Sequence, residues 1–383
     1  MDFTLTPEQT ELQGSIREFT AKKLIPLAHE IDESEEFPKE LFKEMGQLGY
    51  FGLTIPEEYG GMGLDFMSAS LVAEELSKGS AGVTLSFAAH AFLCTYNLYA
   101  FADEAQRRKY LPKLISGEWI GAFALTEPGS GSDSTNLATT ATLKGDAYVL
   151  NGSKMFITNG SVAQVFLVFA RTPRKPGSQG VSLFIVERGS PGLSVGKDIP
   201  KLGTRGSPLN EVSFNECSVP VANLVGKEGR GISHMLRALD VERTLLSGIA
   251  IGAAQAAFDY ALDYSKKRRQ FDAPICSFQL VQEMLAQMAM EIEAARLLVR
   301  QAAWRLDNKM DINRHASFAK LFGAQMIMRV TQMAMQVFGG YGFCREFPVE
   351  RFYRDAALMG LGGGTNEIQK LIIARDLIKS KVK

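Results

Sequence analysis

The sequence KMFITNGSVAQVFLVFA (residues 154–170) contains two short runs rich in β-branched and aromatic residues, MFIT and VFLVFA, with an Asn-Gly turn signal between them. Runs of the same kind, such as AYVL and VSLFIV, recur from Trp119 to about Val225, and Gly-Asp, Asn-Gly and Pro-Gly pairs separate them. No helical period lies between these runs. The pattern therefore predicts an antiparallel β domain rather than a parallel sheet of alternating strands and helices.

Helical patterns precede this β region. Thr6 is predicted as an N-cap, Pro7 as the first helical residue, and Gln9 as the second member of a capping box. Apolar residues then follow at helical spacing, namely Leu12, Ile16 and Phe19. An N-terminal helical domain over residues 1–118 is predicted.

Longer helices follow the β region. One apolar stripe repeats in steps of four and three residues, through Val281, Leu285, Met288, Ile292, Ala295 and Val299. A later helix is expected to end where Gly339 can take a left-handed C-cap. The fold class is therefore α+β, with a middle β domain over residues 119–226 and a C-terminal helical domain over residues 227–383.

Composition narrows the classes of function. The 383 residues include 42 basic and 42 acidic side chains, so the net charge does not indicate nucleic acid or an anionic membrane as the main partner. The four cysteines are scattered, which argues against a disulfide framework, and no metal site is expected. The N-terminus MDFTLTPEQ has no targeting pattern. We expect a cytoplasmic protein, or a mitochondrial matrix protein whose targeting peptide has been removed.

The loop EPGSGSD (residues 127–133) offers unhindered backbone N–H groups and hydroxyls, which suit a pyrophosphate or flavin heteroatoms. It is not a Walker A loop, and no GxGxxG motif opens a helix after a strand. The alternative for this loop alone is a flexible surface turn.

Five motifs in order resemble the FAD-binding acyl-CoA dehydrogenase family over the whole chain. They are ALTEPGSGSDSTNL (124–137), KMFITNG (154–160), RRQF (268–271), QVFGG (336–340) and GGTNEIQKLIIAR (363–375). The resemblance implies a barrel-like middle domain, a C-terminal four-helix bundle and a homotetramer. It also implies oxidation of an acyl-CoA to the 2-enoyl-CoA, with electrons passed to electron-transfer flavoprotein.

The resemblance further implies which residues contact FAD. Those on the loop and strands of the β domain are Phe123, Leu125, Thr126, Gly131, Ser132, Phe156, Ile157 and Thr158. Those of the C-terminal domain are Arg268, Gln270, Phe271, Phe278, Gln279, Gln336, Val337, Gly339, Gly340, Thr365 and Glu367. Arg268 and its neighbours would bind the FAD of a neighbouring subunit. The alternative for the basic run KKRR (266–269) is a solvated helix end.

Proton removal from the α-carbon of an acyl-CoA needs a base opposite the flavin. The family keeps its catalytic Glu either at the place matching Gly363 or on the first bundle helix, where Glu242 falls. Glu242 is therefore the predicted base, and the Gly363 N–H is expected to polarise the thioester carbonyl. Glu367 competes by proximity only, and the alternative for Glu242 is a favourable acid in an early helical turn. The predicted substrate contacts are Ser132, Asp240, Arg243, Gly363 and Arg375.

Several alternatives stay open at this point. A relative with the same fold could be an acyl-CoA oxidase, an enoyl-CoA reductase, a desulfinase or a non-enzymatic flavoprotein that binds nucleic acid. His90 is interpreted as a hydrogen-bonded core residue rather than a catalyst. No Arg occurs between Lys78 and Arg107, so a dicarboxylic substrate is not expected.

Overall fold

The computed structural model describes residues 4–173 and 180–381. The N-terminal part is helical, and its first helix begins as expected: Thr6 Oγ1 accepts a hydrogen bond from the Gln9 N–H at 3.2 Å, and the Gln9 side chain accepts one from the Thr6 N–H. The helices are α1 (Pro7–Phe19), α2 (Ile25–Ser34), α3 (Lys39–Gln47), α4 (Phe66–Ser77), α5 (Ala81–Ala88), α6 (Tyr96–Phe101) and α7 (Glu104–Ile115).

A sheet of eight strands follows. The strands are β1 (Gly121–Ala124), β2 (Thr140–Lys144), β3 (Ala147–Thr158), β4 (Val165–Arg171), β5 (Val181–Glu187), β6 (Leu193–Val195), β7 (Leu209–Pro220) and β8 (Leu224–Val225). Their order is β6-β7-β3-β2-β4-β5-β8, and β1 pairs with β4. The middle of the chain is thus a β domain, as predicted.

The predicted antiparallel pairing is found in most of the sheet, but one edge of β4 differs from it. Both β1 and β2 pair with β4 in parallel, through Gly121–Ala124 and through Thr140. These two strands lie end to end along one edge of β4. The loop of residues 125–139 between them makes a tight turn at the Glu127–Ser130 bridge, and the chain then continues in the same direction. The glycine-rich loop therefore lies between two strands that share a neighbour.

The C-terminal part is a helical bundle with a short hairpin. Its elements are α8 (Gly231–Lys267), β9 (Arg269–Gln270), β10 (Ala273–Pro274), α9 (Gln279–Asp307), α10 (Asn313–Phe338), α11 (Val349–Met359) and α12 (Asn366–Lys381). The second half of the predicted stripe, from Met288 to Val299, is buried on α9. α10 ends at Phe338, and Gly339 has a positive φ of 61° but a ψ of −136°, so it is not a left-handed helical cap.

Helix α8 connects the helical regions. Gly252 on α8 lies so close to α4 that a Cβ there would collide with the carbonyl oxygen of Glu74, so only glycine permits this approach. Among the described residues, α8 is the one helix long and apolar enough to cross a membrane, and most of its apolar window is buried inside the protein. Because α8 is packed in the core, the position of its backbone is well defined by its neighbours, including at Glu242 and Arg243.

His90 is a core residue, as expected. Its Nε2–H donates to the carbonyl of Leu114 at 2.9 Å, and its Nδ1 accepts from the N–H of Gly121 at 2.9 Å. Burial lowers the pKa of His90 to about 4, so the ring is neutral. Both ring nitrogens are therefore engaged in hydrogen bonds with the backbone.

Candidate active site

Glu242 and Gly363 meet although 120 residues separate them. Glu242 lies on α8, and Gly363 lies on the loop between α11 and α12. A Cβ at Gly363 would lie 3.0 Å from Glu242 Oε2 and 3.2 Å from Leu246 Cδ2. The side chain of Glu242 thus occupies the volume that a side chain at position 363 would enter.

The alternative reading of Glu242 as a helix-start acid does not fit its position. α8 begins at Gly231, eleven residues earlier, while the stabilisation of acids by the helix dipole is confined to the first turn. The placement of Glu242 therefore calls for another explanation.

The Glu242 carboxylate is enclosed and only partly compensated. Oε2 is shielded from solvent and has no hydrogen-bond partner in the described chain, although the residue as a whole is partly accessible. Burial raises the pKa of Glu242 to about 7, while the positive charges of Arg243 and Lys320 oppose this rise. A carboxylate with a pKa near neutrality and a free oxygen is suited to accept a proton.

The loop that carries Gly363 is held by side chains on two helices. Gly363 and Gly364 have positive φ angles of 64° and 90°. Arg243 Nε donates to the Gly363 carbonyl at 3.0 Å, and Gln369 Nε2 donates to the Gly363 and Gly364 carbonyls at 3.1 and 3.0 Å. No acceptor in the described part of the chain takes the N–H of Gly363.

Asp240 and Arg243, both predicted substrate contacts, are bound to each other. Arg243 Nη1 donates to Asp240 Oδ1 at 2.9 Å, and Arg243 is only 4% exposed. Burial raises the pKa of Asp240 to about 6, against the attraction of Arg243. Ser132 and Arg375 are exposed instead. The contacts of these four residues with substrate remain predictions.

A buried ion pair joins the glycine-rich loop to strand β3. Lys154 Nζ donates to Glu127 Oε1 at 2.7 Å and to the Leu125 carbonyl at 3.0 Å. Glu127 also accepts from the backbone N–H groups of Ala138 and Thr139. Both side chains are almost fully buried, so their hydrogen bonds replace lost hydration. The pair fixes the two segments that carry the predicted flavin contacts.

The surface beside this pair fits a flat aromatic ligand. Phe156 is held at a φ of 60° with 59% of its surface exposed, although aromatic side chains are normally buried. Met155 N–H donates to the Thr126 carbonyl at 2.8 Å, which brings Thr126 close to Phe156. A Cβ at Gly131 would meet no heavy atom within 4 Å, so the loop backbone is open to approach. An exposed ring beside hydroxyls and open amides suits a flavin.

Three of the predicted flavin residues have side chains that are buried away from the surface. Ile157 and Val337 are 2% and 5% exposed, so their side chains belong to the core and only their backbone groups could meet a ligand. Leu125 is also buried, and its carbonyl is taken by Lys154. Phe123, Thr126, Thr158 and Thr365 are partly accessible.

The remaining predicted FAD residues lie at the other end of α8. Arg268 is 26 residues beyond Glu242, which corresponds to about 39 Å along the helix. Phe271, on the β9–β10 turn, is 90% exposed and lies edge-on to Phe278. The guanidinium of Arg268 lies 5.8 Å from the ring of Tyr341. The exposed members of this group are Arg268, Gln270, Phe271, Gln279, Gln336, Gly339 and Gly340, whereas Phe278 is partly buried.

This distant group cannot hold the reactive end of a molecule that is bound next to Glu242 in the same chain. Glu367 is also exposed, and its nearest cation is Lys370 at 3.9 Å. It does not share the enclosed position of Glu242.

Sequence patterns did not indicate a role for Lys320, Gln369 or the Glu127–Lys154 pair. A signal existed for Lys320, since it is a charged residue within the small and apolar face formed by Ala316, Ala319 and Gly323 on α10. Gln369 and the ion pair carry no such signal, because polar residues at their positions in the sequence are common at surfaces.

Three family models match the chain: acyl-CoA dehydrogenase, N-terminal domain, over residues 6–118, middle domain over 122–217, and C-terminal domain over 229–378. A relative from Clostridium acetobutylicum, named acyl-CoA dehydrogenase, short-chain specific, is 45% identical over 99% of this chain and 100% of its own. The mitochondrial isovaleryl-CoA dehydrogenase of Oryza sativa is 42% identical over 97% of this chain and 92% of its own. Among solved structures, butyryl-CoA dehydrogenase from Megasphaera elsdenii is 41% identical. The match covers 99% of this chain and 100% of that protein's chain, with a TM-score of 0.96.

Proposed function

The chain belongs to the acyl-CoA dehydrogenase family, and we propose that Glu242 is the base that removes the α-proton of its substrate. The enzyme converts an acyl-CoA thioester to the 2-enoyl-CoA and passes the electrons to electron-transferring flavoprotein. FAD, the cofactor of the family, supplies the acceptor for the hydride that leaves the β-carbon. The oxidase, reductase, desulfinase and nucleic-acid-binding alternatives are not favoured, since the relatives described above are named as dehydrogenases.

One observation carries the assignment of the base. Glu242 Oε2 is enclosed, lacks a hydrogen-bond partner in the described chain, and lies where a side chain at position 363 would point. Its pKa of about 7 allows the carboxylate to be ionised before the reaction and protonated after it. We infer that Glu242 takes the proton on Oε2.

The Gly363 N–H would donate to the thioester carbonyl oxygen. Negative charge develops on that oxygen as the α-proton leaves, so a fixed donor stabilises the transition state more than the ground state. Arg243 and Gln369 support this role, because both bind the Gly363 carbonyl and so hold in place the residue that carries this N–H.

The predicted FAD contacts form two separate groups on the chain, which supports an oligomer in which two subunits contact one FAD. Thr126, Phe156 and Thr158 would hold the ring system, with Gly131 and Ser132 next to it on the open loop. Arg268, at the far end of α8, would bind the FAD of a neighbouring subunit, so we propose the homotetramer expected from the family. We also propose a cytoplasmic location, or the mitochondrial matrix for a processed form, because the relatives include bacterial and mitochondrial proteins.

Purified protein is expected to be yellow, with about one FAD per chain, and Arg268→Ala to bind FAD about 10- to 150-fold more weakly. The reason is the loss of a charge-assisted hydrogen bond to phosphate, which contributes roughly 1.5–3 kcal/mol. Titration of the apoprotein with FAD measures this change. The control is Arg269→Ala, since Arg269 donates to the Asp272 carbonyl within its own turn. Equal losses in both variants would show that Arg268 has no specific phosphate contact.

Branched or cyclic acyl-CoAs of short chain length are expected to be turned over better than long straight ones. Positions 362–364 are all glycine, and although Glu242 and Gln369 occupy the space beside Gly363 and Gly364, the loop itself adds no side chain that a branch on the acyl group would meet. The names of the isovaleryl and short-chain relatives are in keeping with this substrate class. Specificity constants over a panel from butyryl- and isovaleryl- to palmitoyl-CoA test it, and a maximum at palmitoyl-CoA would refute it.

A further inference from the structure

We propose that Lys320 is a positioning residue for proton removal: its buried ammonium group favours the ionised form of Glu242 from behind and, through Asn366, anchors the loop that carries Gly363. This inference rests on the proposed role of Glu242 as the base. Lys320 would touch neither substrate nor cofactor and would act through its charge.

The packing of α10 on α8 places Lys320 beside the base. Gly323, one turn after Lys320, faces Ser247 and Ala250, since a Cβ at Gly323 would lie 3.6 Å from the Ser247 Cβ and 3.8 Å from the Ala250 Cβ. α8 and α10 run in the same direction because α9 returns the chain between them. Lys320 therefore lies about one turn before Ser247, at the level of Arg243 and next to Glu242.

Lys320 also connects α10 to the start of α12. Its side chain is 2% exposed, and Nζ donates to Asn366 Oδ1 at 3.3 Å. Asn366 is the first residue of α12, directly after the Gly363 loop, and its N–H donates to the Gly360 carbonyl at 3.1 Å. The ammonium group thus holds the side chain of Asn366, whose backbone N–H in turn binds the Gly360 carbonyl at the other end of that loop.

The charges around Lys320 and Glu242 are few. Lys320 faces Glu242 and Arg243 on α8 and Glu367 on α12, and Glu242 faces Arg243 and Lys320. Arg243 is bound to Asp240 at 2.9 Å, so part of its charge is already compensated. No carboxylate oxygen in the described chain lies within 4 Å of Lys320 Nζ, so its attraction for Glu242 acts through space.

Lys320 remains a cation at neutral pH although it is buried. Burial lowers its pKa to about 8, and Glu242 opposes this shift. A cation near a buried carboxylate lowers the pKa of that carboxylate. Without Lys320, burial would raise the pKa of Glu242 further, and the base would be protonated at pH 7.

The test compares Lys320→Gln, which keeps a donor for Asn366 and removes the charge, with Lys320→Met and the charge-retaining Lys320→Arg. Rapid mixing with a good substrate gives the rate of flavin reduction against pH. The acid limb is the fall of this rate towards low pH. In the Gln and Met variants we expect it to move up by about one pH unit, so that the rate of flavin reduction is about tenfold lower than in the wild type below about pH 6.5. At high pH the rate should recover to the wild-type value. Lys320→Arg should keep the wild-type limb. Asn366→Ala, which removes the acceptor but leaves the charge, should also keep it.

An infrared pH titration of the same variants gives a readout independent of turnover. The carboxyl band of protonated Glu242, identified by its loss in Glu242→Gln, should persist to higher pH in Lys320→Gln. An unchanged acid limb and an unchanged band in Lys320→Gln would overturn this proposal while Glu242 remained the base. A wild-type rate in Glu242→Gln would overturn the proposed base itself, so the two failures are distinguishable.

Discussion

Glu242→Gln is expected to reduce the rate of flavin reduction by about 10²- to 10⁴-fold, the typical loss when a general base is removed. Gln has the shape of Glu but cannot accept the proton, so binding of FAD and acyl-CoA should be preserved. Rapid mixing under anaerobic conditions, with saturating acyl-CoA, isolates the step. A variant that reduces its flavin at the wild-type rate would mean that another group takes the proton.

A Glu introduced at position 363 is expected to recover part of the lost rate. The space and backbone at position 363 limit this recovery, because a Cβ at Gly363 would lie 3.0 Å from Glu242 Oε2 and Gly363 has a φ of 64°. Gly363→Glu on the Glu242→Gln background is therefore crowded and strained, and Glu242→Gly/Gly363→Glu should recover more. Recovery should stay incomplete in both, because the new side chain occupies space meant for the acyl group.

The control for this series is Glu367→Gln. Glu367 is exposed on the first turn of α12, whereas Glu242 is enclosed. Its substitution should affect FAD binding more than proton removal. A loss of flavin reduction equal to that of Glu242→Gln, with FAD still bound, would favour Glu367 as the base.

Lys154→Met is expected to destabilise the protein by about 3–5 kcal/mol and to cause loss of FAD. The substitution leaves the Glu127 carboxylate buried without its cation, and it removes the hydrogen bond to the Leu125 carbonyl. Both effects loosen the segments around Thr126 and Phe156. Thermal unfolding and FAD retention measure the outcome.

Two comparisons make the Lys154 prediction specific. Lys144→Met breaks the Lys144–Glu216 pair, whose side chains are 60% and 63% exposed, and should change stability by no more than about 1 kcal/mol. The double variant Glu127→Gln/Lys154→Met removes both charges and should be more stable than Lys154→Met alone. If Lys154→Met and Lys144→Met behaved alike, the buried pair would have no special role.

The sequence predicted the features that depend on local patterns or on family motifs. The capping box at Thr6, the stripe on α9 and the strands of the β domain follow from spacing and turn residues. The family, its cofactor and its reaction followed from five motifs in order. These signals are carried by neighbouring residues, so no tertiary information was needed.

Features that depend on tertiary pairing could not be predicted. The parallel pairing of β1 and β2 with β4 depends on how the loop of residues 125–139 turns, which the strand pattern does not determine. The burial of Lys154 and Lys320 depends on partners that are distant in sequence, Glu127 and Asn366. The enclosure of Glu242 likewise results from the packing of α8 against a loop 120 residues later.

The most direct test of the central claim separates proton removal from hydride transfer. An acyl-CoA with no hydrogen on its β-carbon, such as 3,3-dimethylbutyryl-CoA, can lose an α-proton but cannot be oxidised. In deuterated water, mass spectrometry follows the exchange of its α-protons on the enzyme. We expect exchange with the wild-type enzyme and a rate at least about 10²-fold lower with Glu242→Gln. Exchange at the wild-type rate in Glu242→Gln would contradict the assignment of Glu242 as the base.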